Sequence, residues 1–126
     1  MERPKLRVTS VTLGAPDPGE LARFYGTLLG WTGETERNWA QRRSPDDGGL
    51  STLNFEVEPD YVRPTWPSVA GEQQIMAHLD IAVDDLDAAV AWAKEAGATL
   101  AEQQPQESVR VMLDPAGHPF CLFTAG

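Results

Sequence analysis

The sequence predicts an α+β protein made of two βαβββ modules, and three observations support this fold class. The stretches "SVTLGAPDPGELARFYGTLLGW" (Ser10–Trp31) and "HLDIAVDDLDAAVAWAKEAGAT" (His78–Thr99) align at a constant offset, as duplicated supersecondary units do. Each begins with alternating apolar residues and continues into a helical period that ends at glycine. Each is followed by three short strand candidates. Because neither module alone buries enough apolar surface, we expect one domain over residues 1–126 in which the modules pack together.

The first module covers about residues 6–58. Its opening strand, Val8–Ala15, is followed by Asp17-Pro18, an N-cap and a proline at the first helical position. Glu20 completes a capping box with Asp17. The apolar stripe of the helix comprises Leu21, Phe24, Tyr25 and Leu28, and Gly30 ends it. Strands are predicted at Trp31–Glu36, Asn38–Arg43 and Ser51–Glu58, the last two joined by the turn "SPDDGG".

A connector rich in Pro and Gly covers about residues 59–74, and the second module covers about 75–126. A strand at Met76–Val83 leads to a helix capped by Asp84 or Asp85. Trp92 occupies the helix position equivalent to Phe24, so both are predicted to lie in the core. The remaining strands are predicted at Thr99–Gln103, Ser108–Leu113 and Pro119–Thr124, the last two joined by "DPAGH".

The two-residue period of the strands predicts which side chains face away from the helices. The outward set is mostly polar, whereas the opposite set is apolar. A polar row on a sheet face that no helix covers is a candidate pocket wall. The outward set comprises Ser10, Thr12, Asn54, Glu56, Met76, His78, Asp80, Cys121 and Phe123.

Composition and net charge limit the classes of molecule that the protein is expected to bind. The net charge of −9 argues against nucleic acid and anionic membranes, because phosphate binding needs Lys and Arg. One cysteine rules out an internal disulfide framework. No apolar run approaches the ~18 residues of a membrane span, and "MERPKLRV" lacks the features of a secretory signal. We therefore expect a cytoplasmic protein.

The stretches "SVTLGAPDPGELARFYGTLLGW", "HLDIAVDDLDAAVAWAKEAGATL" and "DPAGHPFCLF" resemble the vicinal oxygen chelate superfamily, which includes glyoxalases, bleomycin-resistance proteins and extradiol dioxygenases. The resemblance is greatest to its small glyoxalase-like branch. It implies a cup-shaped, eight-stranded mixed sheet with the helices on the outer face. It also implies a homodimer, because small members commonly pair.

In metal-dependent members, the resemblance implies four ligands from the first and last strands of each module. The matching positions are Ser10, Glu56, His78 and Cys121. Only Glu56 and His78 are usual ligand types. Glu56, His78 and Cys121 could together hold Zn²⁺, which accepts O, N and S ligands, and Ni, Mn or Fe are further candidates. An extradiol iron site needs a second histidine, but His118 belongs to the "DPAGH" turn. We therefore favour no metal cofactor.

The individual side chains leave alternatives open. His78 either contacts a ligand directly or is a neutral imidazole held by Asp80. Glu56 is either paired in the cup or a general base. Cys121 is most often a small buried hydrophobe. Trp39 and Trp66 either close the mouth of the cup over a flat ligand or pack the connector or a subunit contact.

These observations favour a protein that binds or sequesters a small organic molecule in the cup without a metal. The alternative is a lyase or isomerase of glyoxalase type, with or without a metal, in which Glu56 and His78 are the catalytic acid–base pair. A third hypothesis is a non-catalytic regulatory or assembly module. The predicted ligand-binding residues are Ser10, Trp39, Asn54, Trp66, Asp80, Cys121 and Phe123.

Overall fold

The computed structural model describes residues 1–46 and 49–124. The predicted turn over residues 44–49 includes Asp47 and Gly48, which lie outside the described residues, as do Ala125 and Gly126. The chain forms two compact units, Met1–Glu58 and the segment from Pro59 onward. Each unit contains one helix and one sheet, so the predicted α+β class is confirmed. No helix within the described ranges is long and apolar enough to cross a membrane.

The first unit contains a three-stranded sheet in the order β1-β3-β2. Strand β1 pairs with β3 in parallel, and β2 pairs with β3 antiparallel. The helix α1 packs against β2 and β3, so one face of the sheet is covered. The elements are β1 (Ser10–Ala15), α1 (Pro18–Leu29), β2 (Trp39–Arg43) and β3 (Thr52–Val57).

The ends of α1 follow from local sequence. Asp17 is the N-cap, and its Oδ1 accepts a hydrogen bond from the Glu20 amide at 3.1 Å, as the capping box predicts. Gly30 adopts φ 71° and donates its amide to the Gly26 carbonyl at 2.9 Å. Between these caps, Tyr25 is 1% exposed and stacks on Phe55 with ring centroids 5.7 Å apart. Burial of this aromatic pair fixes α1 on its sheet.

The predicted strand Trp31–Glu36 is not a regular strand, so the described residues form seven strands, not eight. The segment still runs antiparallel to β2, with bridges at Thr32–Arg43 and Thr35–Ala40. Its backbone approaches β2 very closely at Gly33, where an added Cβ would lie 1.9 Å from the Gln41 carbonyl oxygen. This contact excludes any side chain at that position, and backbone hydrogen bonds to β2 continue on both sides of it, at Thr32 and Glu34.

The second unit contains a four-stranded sheet in the order β4-β7-β6-β5. Strand β4 pairs with β7 in parallel, although the two are separated in sequence by α2, β5 and β6. The helix α2 packs against β5, β6 and β7. The elements are β4 (Leu79–Val83), α2 (Leu86–Ala96), β5 (Thr99–Leu100), β6 (Val109–Leu113) and β7 (Pro119–Thr124).

The structure corrects three predictions for this unit. Trp92 was predicted in the core, but it is 50% exposed, whereas the adjacent Ala93 is fully buried. The small side chain at 93 lets α2 approach its sheet closely, and Trp92 then lies beside the contact stripe. Strand β5 covers only Thr99–Leu100 instead of Thr99–Gln103. Strand β4 begins at Leu79, so His78 directly precedes it.

The connector is bonded to the "DPAGH" turn of its own unit. The Tyr61 hydroxyl donates to the Ala116 carbonyl at 2.7 Å, and an Arg63 guanidinium nitrogen donates to the Pro115 carbonyl at 2.9 Å. The turn itself is closed by the buried Asp114 carboxylate, which accepts the amides of Ala116 and His118. These bonds, called the latch below, attach the connector to the start of β7.

We expect Gly33→Ala to destabilise the protein strongly, because the new Cβ cannot coexist with the Gln41 carbonyl in the native backbone. Chemical denaturation should show a loss of free energy of unfolding of about 2 kcal/mol or more, in the range of overpacking substitutions. Gly14→Ala is the matched control, since its Cβ would lie at an ordinary 3.5 Å from Glu58 Cβ. Equal stability of the two variants would contradict the close approach.

We expect Tyr61→Phe to lower the free energy of unfolding by about 1 kcal/mol, because one hydrogen bond of the latch is lost. Burial, followed by the charge of Asp114, raises the pKa of Tyr61 from 10.0 to about 12. The folded pKa lies above the unfolded one, so the phenol stabilises the fold fully below about pH 10, and this stabilisation disappears towards pH 12. The stability difference between wild type and Tyr61→Phe should therefore shrink over that interval in urea titrations. A pH-independent difference would contradict this assignment.

Candidate ligand-binding cavity

The second unit contains a cavity of about 460 Å³. This volume is within the range of roughly 300–1,000 Å³ that is typical of small-molecule sites. Five of the predicted site residues line it. The lining comprises Trp66, His78, Asp80, Pro105, Gln106, Val109, Val111, Cys121 and Phe123.

Strand register explains why these side chains share one wall. Asp80 on β4 lies opposite Cys121 on β7, and Cys121 in turn lies opposite Val111 on β6. Side chains that are paired across a sheet point to the same face. The alternate residues Phe120 and Leu122 are buried at 0% and 2% exposure on the other face, against which α2 packs. The cavity wall is therefore the sheet face that α2 leaves uncovered.

One end of the wall is polar. His78 Nδ1 lies 3.1 Å from Asp80 Oδ1, and both side chains are about half exposed. One potential ligand atom from each of His78, Asp80 and Cys121 lies within 4.8 Å of the others. This polar end is called the His–Asp–Cys cluster below. Burial, and then the charge of and hydrogen bond to Asp80, raise the pKa of the Cys121 thiol. The thiol is therefore protonated near neutral pH and donates to the carboxylate.

The other walls are aromatic and aliphatic. Trp66, from the connector, forms one side, and Phe123 and Val109 belong to neighbouring strands. The indole Nε1 of Trp66 is buried and has no hydrogen-bond partner among the described residues. Trp66 also borders a second cavity of about 360 Å³, beside Pro67 and Leu113. Trp66 therefore lines two cavities of the same unit, and the latch holds the connector that carries it.

The other predicted residues lie on the sheet of the first unit. Trp39 is paired with Glu56 across β2 and β3, and Gln41 is paired with Asn54. The Gln41 amide donates to Asn54 Oδ1 at 2.8 Å. Together with Ser10 on β1, these residues form a polar face in the first unit, since paired and alternate positions share a face. The convergence of Ser10 and Glu56 with His78 and Cys121 stays a prediction.

Sequence reasoning missed four residues of the cavity lining. Val109 and Val111 alternate along β6, and the two-residue period of that strand could have assigned them to the face of Cys121. Pro105 and Gln106 lie in the loop between β5 and β6. No local pattern marks a loop residue as part of a cavity.

The metal set implied by the resemblance does not fit a hard, oxygen-preferring cation. Such ions take carboxylate and carbonyl oxygens in near-octahedral or larger shells. Ser10 offers a neutral hydroxyl that is 3.2 Å from Thr9 Oγ1, and Cys121 offers a thiol whose pKa is raised. Half of the four positions therefore lack a suitable ligand for such an ion.

Comparisons with known proteins place the chain in a family. The model of the family described as "Glyoxalase-like domain" matches residues 10–123. The chain therefore belongs to this family, within the vicinal oxygen chelate superfamily. The resemblance seen in its sequence is thus confirmed. No curated protein matches the chain.

Solved structures share the fold at low sequence identity. A glyoxalase/bleomycin resistance protein/dioxygenase family enzyme from Burkholderia phytofirmans PsJN is 19% identical, with a TM-score of 0.69 over 96% of this chain and 100% of that one. A glyoxalase/bleomycin resistance protein from Albidiferax ferrireducens T118 is 21% identical, with a TM-score of 0.64 over 94% and 98%. A fosfomycin resistance protein from Mesorhizobium loti is 12% identical, with a TM-score of 0.67 over 98% and 95%. At these identities the likeness shows the fold alone.

We expect Asp80→Asn to increase the reactivity of Cys121 towards iodoacetamide at pH 7–8 several-fold. The carboxylate raises the pKa of the thiol by its charge and by accepting its hydrogen bond, so its removal shifts the alkylation profile to lower pH. The sequence contains one cysteine, so the measured rate reports on a single site. Asp84→Asn is the matched control, because Asp84 is exposed and outside the cavity lining. Identical profiles for wild type and Asp80→Asn would contradict the contact.

Proposed function

We propose that the protein binds a small, flat organic cation in the cavity of its second unit and needs no metal to do so. The observation that carries this proposal is the Asp80 carboxylate at one end of a cavity with aromatic and aliphatic walls. Ligand sites of this kind combine apolar walls with a few polar groups that fix orientation.

The walls favour a flat ligand. Trp66 and Phe123 contribute aromatic surface, and Val109 and Val111 contribute aliphatic surface. An aromatic ring buried against such walls gains both hydrophobic stabilisation and favourable ring–ring geometry. A cationic ring or a cation next to a ring gains further attraction from the face of an indole.

The charges favour a positive ligand. Asp80 contacts His78, and no Lys or Arg is among the described residues that line the cavity. An anionic ligand would therefore meet a carboxylate and no permanently charged cation among these lining residues. The net charge of −9 attracts cations over a longer range.

A catalytic role is the second candidate, and the contact between His78 and Asp80 favours it. Nδ1 of His78 lies 3.1 Å from the Asp80 carboxylate. A carboxylate at this distance orients an imidazole so that its other ring nitrogen can act as a general base. In this alternative the protein is a lyase or isomerase of glyoxalase type, and Glu56 of the first unit is the second acid–base group. The cavity would then hold a substrate that His78 deprotonates.

The proposal includes a homodimer located in the cytoplasm. Both features follow from the resemblance and the composition described above. Dimerisation would cover exposed apolar side chains of the connector, such as Val62 at 59% and Val69 at 51% exposure.

A matched ligand set tests the charge preference. Tryptamine, tryptophol and indole-3-acetate share one ring and differ in carrying a cation, a neutral hydroxyl or an anion. With a metal chelator present, calorimetry and thermal shift should rank their affinities in that order. Asp80→Asn should weaken tryptamine binding by roughly five- to tenfold, since a half-exposed ion pair contributes about 1 kcal/mol.

Variants separate the contributions to binding. Trp66→Ala should lower the affinity for all three indoles, because it removes part of the cavity wall and not a charge. Asp84→Asn should bind them as the wild type does, although its net charge changes by the same amount as that of Asp80→Asn. Equal affinity for the three indoles, or for wild type and Asp80→Asn, would overturn the proposed cation preference.

A further inference from the structure

We infer that the His–Asp–Cys cluster is a binding site for Zn²⁺ or a similar thiophilic divalent cation, formed by the second unit alone. This site differs from the metal set that the resemblance implies. It includes Asp80, which is outside that set, and it does not need Ser10 or Glu56. The inference holds whether or not the proposed organic ligand binds.

Backbone pairing brings the three side chains together. Asp80 and Cys121 are direct partners in the parallel pairing of β4 with β7. His78 precedes Asp80 by two residues and contacts it on the same face. Two of the three residues therefore lie on hydrogen-bonded strands, and the third directly precedes one. A metal would bind a site whose backbone is already in place.

The ligand types select the cation. The cluster offers one imidazole nitrogen, one carboxylate oxygen and one sulfur. Mg²⁺ and Ca²⁺ prefer shells of oxygen, whereas sulfur and imidazole favour Zn²⁺ and its neighbours. Zinc sites with three protein ligands and one open position are common in enzymes, and they accept N, O and S together.

The distances between the three ligand atoms are close to those of a metal site, so that only a small movement of the side chains would be needed to bind an ion. Zinc lies about 2.0–2.3 Å from N, O and S ligands, which places the ligands of a tetrahedral site roughly 3.3–3.8 Å apart. The three potential ligand atoms lie within 4.8 Å of one another, and the His78–Asp80 contact is 3.1 Å. Because both of these side chains are about half exposed, they can rotate by the remaining distance without disturbing the core.

Charge also balances at the cluster. The cation replaces the proton of the Cys121 thiol, and that proton passes to solvent, as is usual when sulfur binds a metal. Thiolate and carboxylate then neutralise the two positive charges. All three ligand residues also line the cavity that Trp66 and Phe123 border, where the organic cation is proposed to bind. An organic cation and the metal would therefore compete for Asp80.

Cobalt titration of the full chain tests the site. The protein is first treated with chelator and a non-thiol reductant and is then dialysed into metal-free buffer. Addition of Co²⁺ should saturate at one ion per chain. It should produce the near-ultraviolet sulfur-to-cobalt charge-transfer band together with the visible absorption of a tetrahedral ion. Added Zn²⁺ should displace the cobalt and abolish both signals.

Variants identify the ligands. Cys121→Ser should lose the charge-transfer band, and His78→Gln and Asp80→Asn should each weaken Co²⁺ binding at least tenfold. His118→Gln is the matched control, because His118 is the only other histidine and lies in the latch, outside the cluster. Circular dichroism and thermal melting of each variant show that it is folded.

Glu56→Gln distinguishes this site from the set implied by the resemblance. Glu56 belongs to the first unit and not to the cluster, so this variant should bind Co²⁺ as the wild type does. Loss of binding in Glu56→Gln would overturn the three-residue site. A charge-transfer band that persists in Cys121→Ser, or the absence of stoichiometric Co²⁺ binding by the wild type, would overturn it equally. The titration contains no organic ligand, so its failure would leave the proposed function standing.

Discussion

The parallel pairing of β4 with β7 is the contact on which the candidate site depends. It joins residues about forty positions apart in the chain and places Asp80 directly opposite Cys121. The pairing also determines which side chains lie on the opposite face of the sheet. Phe120 and Leu122, which alternate with Cys121, are buried on the face against which α2 packs. A shift of one residue in this register would exchange the two faces, so burial of the apolar side holds the polar side in position.

The cavity is built by two further segments of the same unit. Strand β6 extends the wall, because Val111 is the partner of Cys121 on the side opposite to β4. The connector supplies Trp66, and the latch from Tyr61 to the "DPAGH" turn attaches that connector next to the start of β7. Sheet and connector are therefore fixed to each other by hydrogen bonds within one unit. Such pre-organisation reduces the entropy lost when a ligand binds.

The His–Asp–Cys cluster supplies three polar, potentially metal-binding groups to a cavity whose other walls are aromatic and aliphatic. A carboxylate lies between an imidazole and a thiol, and it is the only carboxylate among the described lining residues. The proposed organic-cation site and the proposed metal site both depend on the Asp80 carboxylate, because an organic cation and a divalent metal are alternative partners for the same negative charge. The apolar walls favour the first, and the neighbouring nitrogen and sulfur favour the second. The organic cation and the metal ion are therefore expected to compete for Asp80.

The sequence by itself determined the α+β class, the order of elements apart from the strand expected at Trp31–Glu36, the caps of α1 and the outward direction of His78, Asp80 and Cys121. These features depend on residues only a few positions apart, such as an N-cap or a two-residue period. Tertiary structure decided that β4 pairs with β7 and that Trp92 is exposed. It also decided that Trp66 and the loop residue Gln106 line the cavity. Those features depend on which distant surfaces are buried together. A local pattern carries no information about that choice, because the free energy that decides it arises from contacts between segments far apart in the chain.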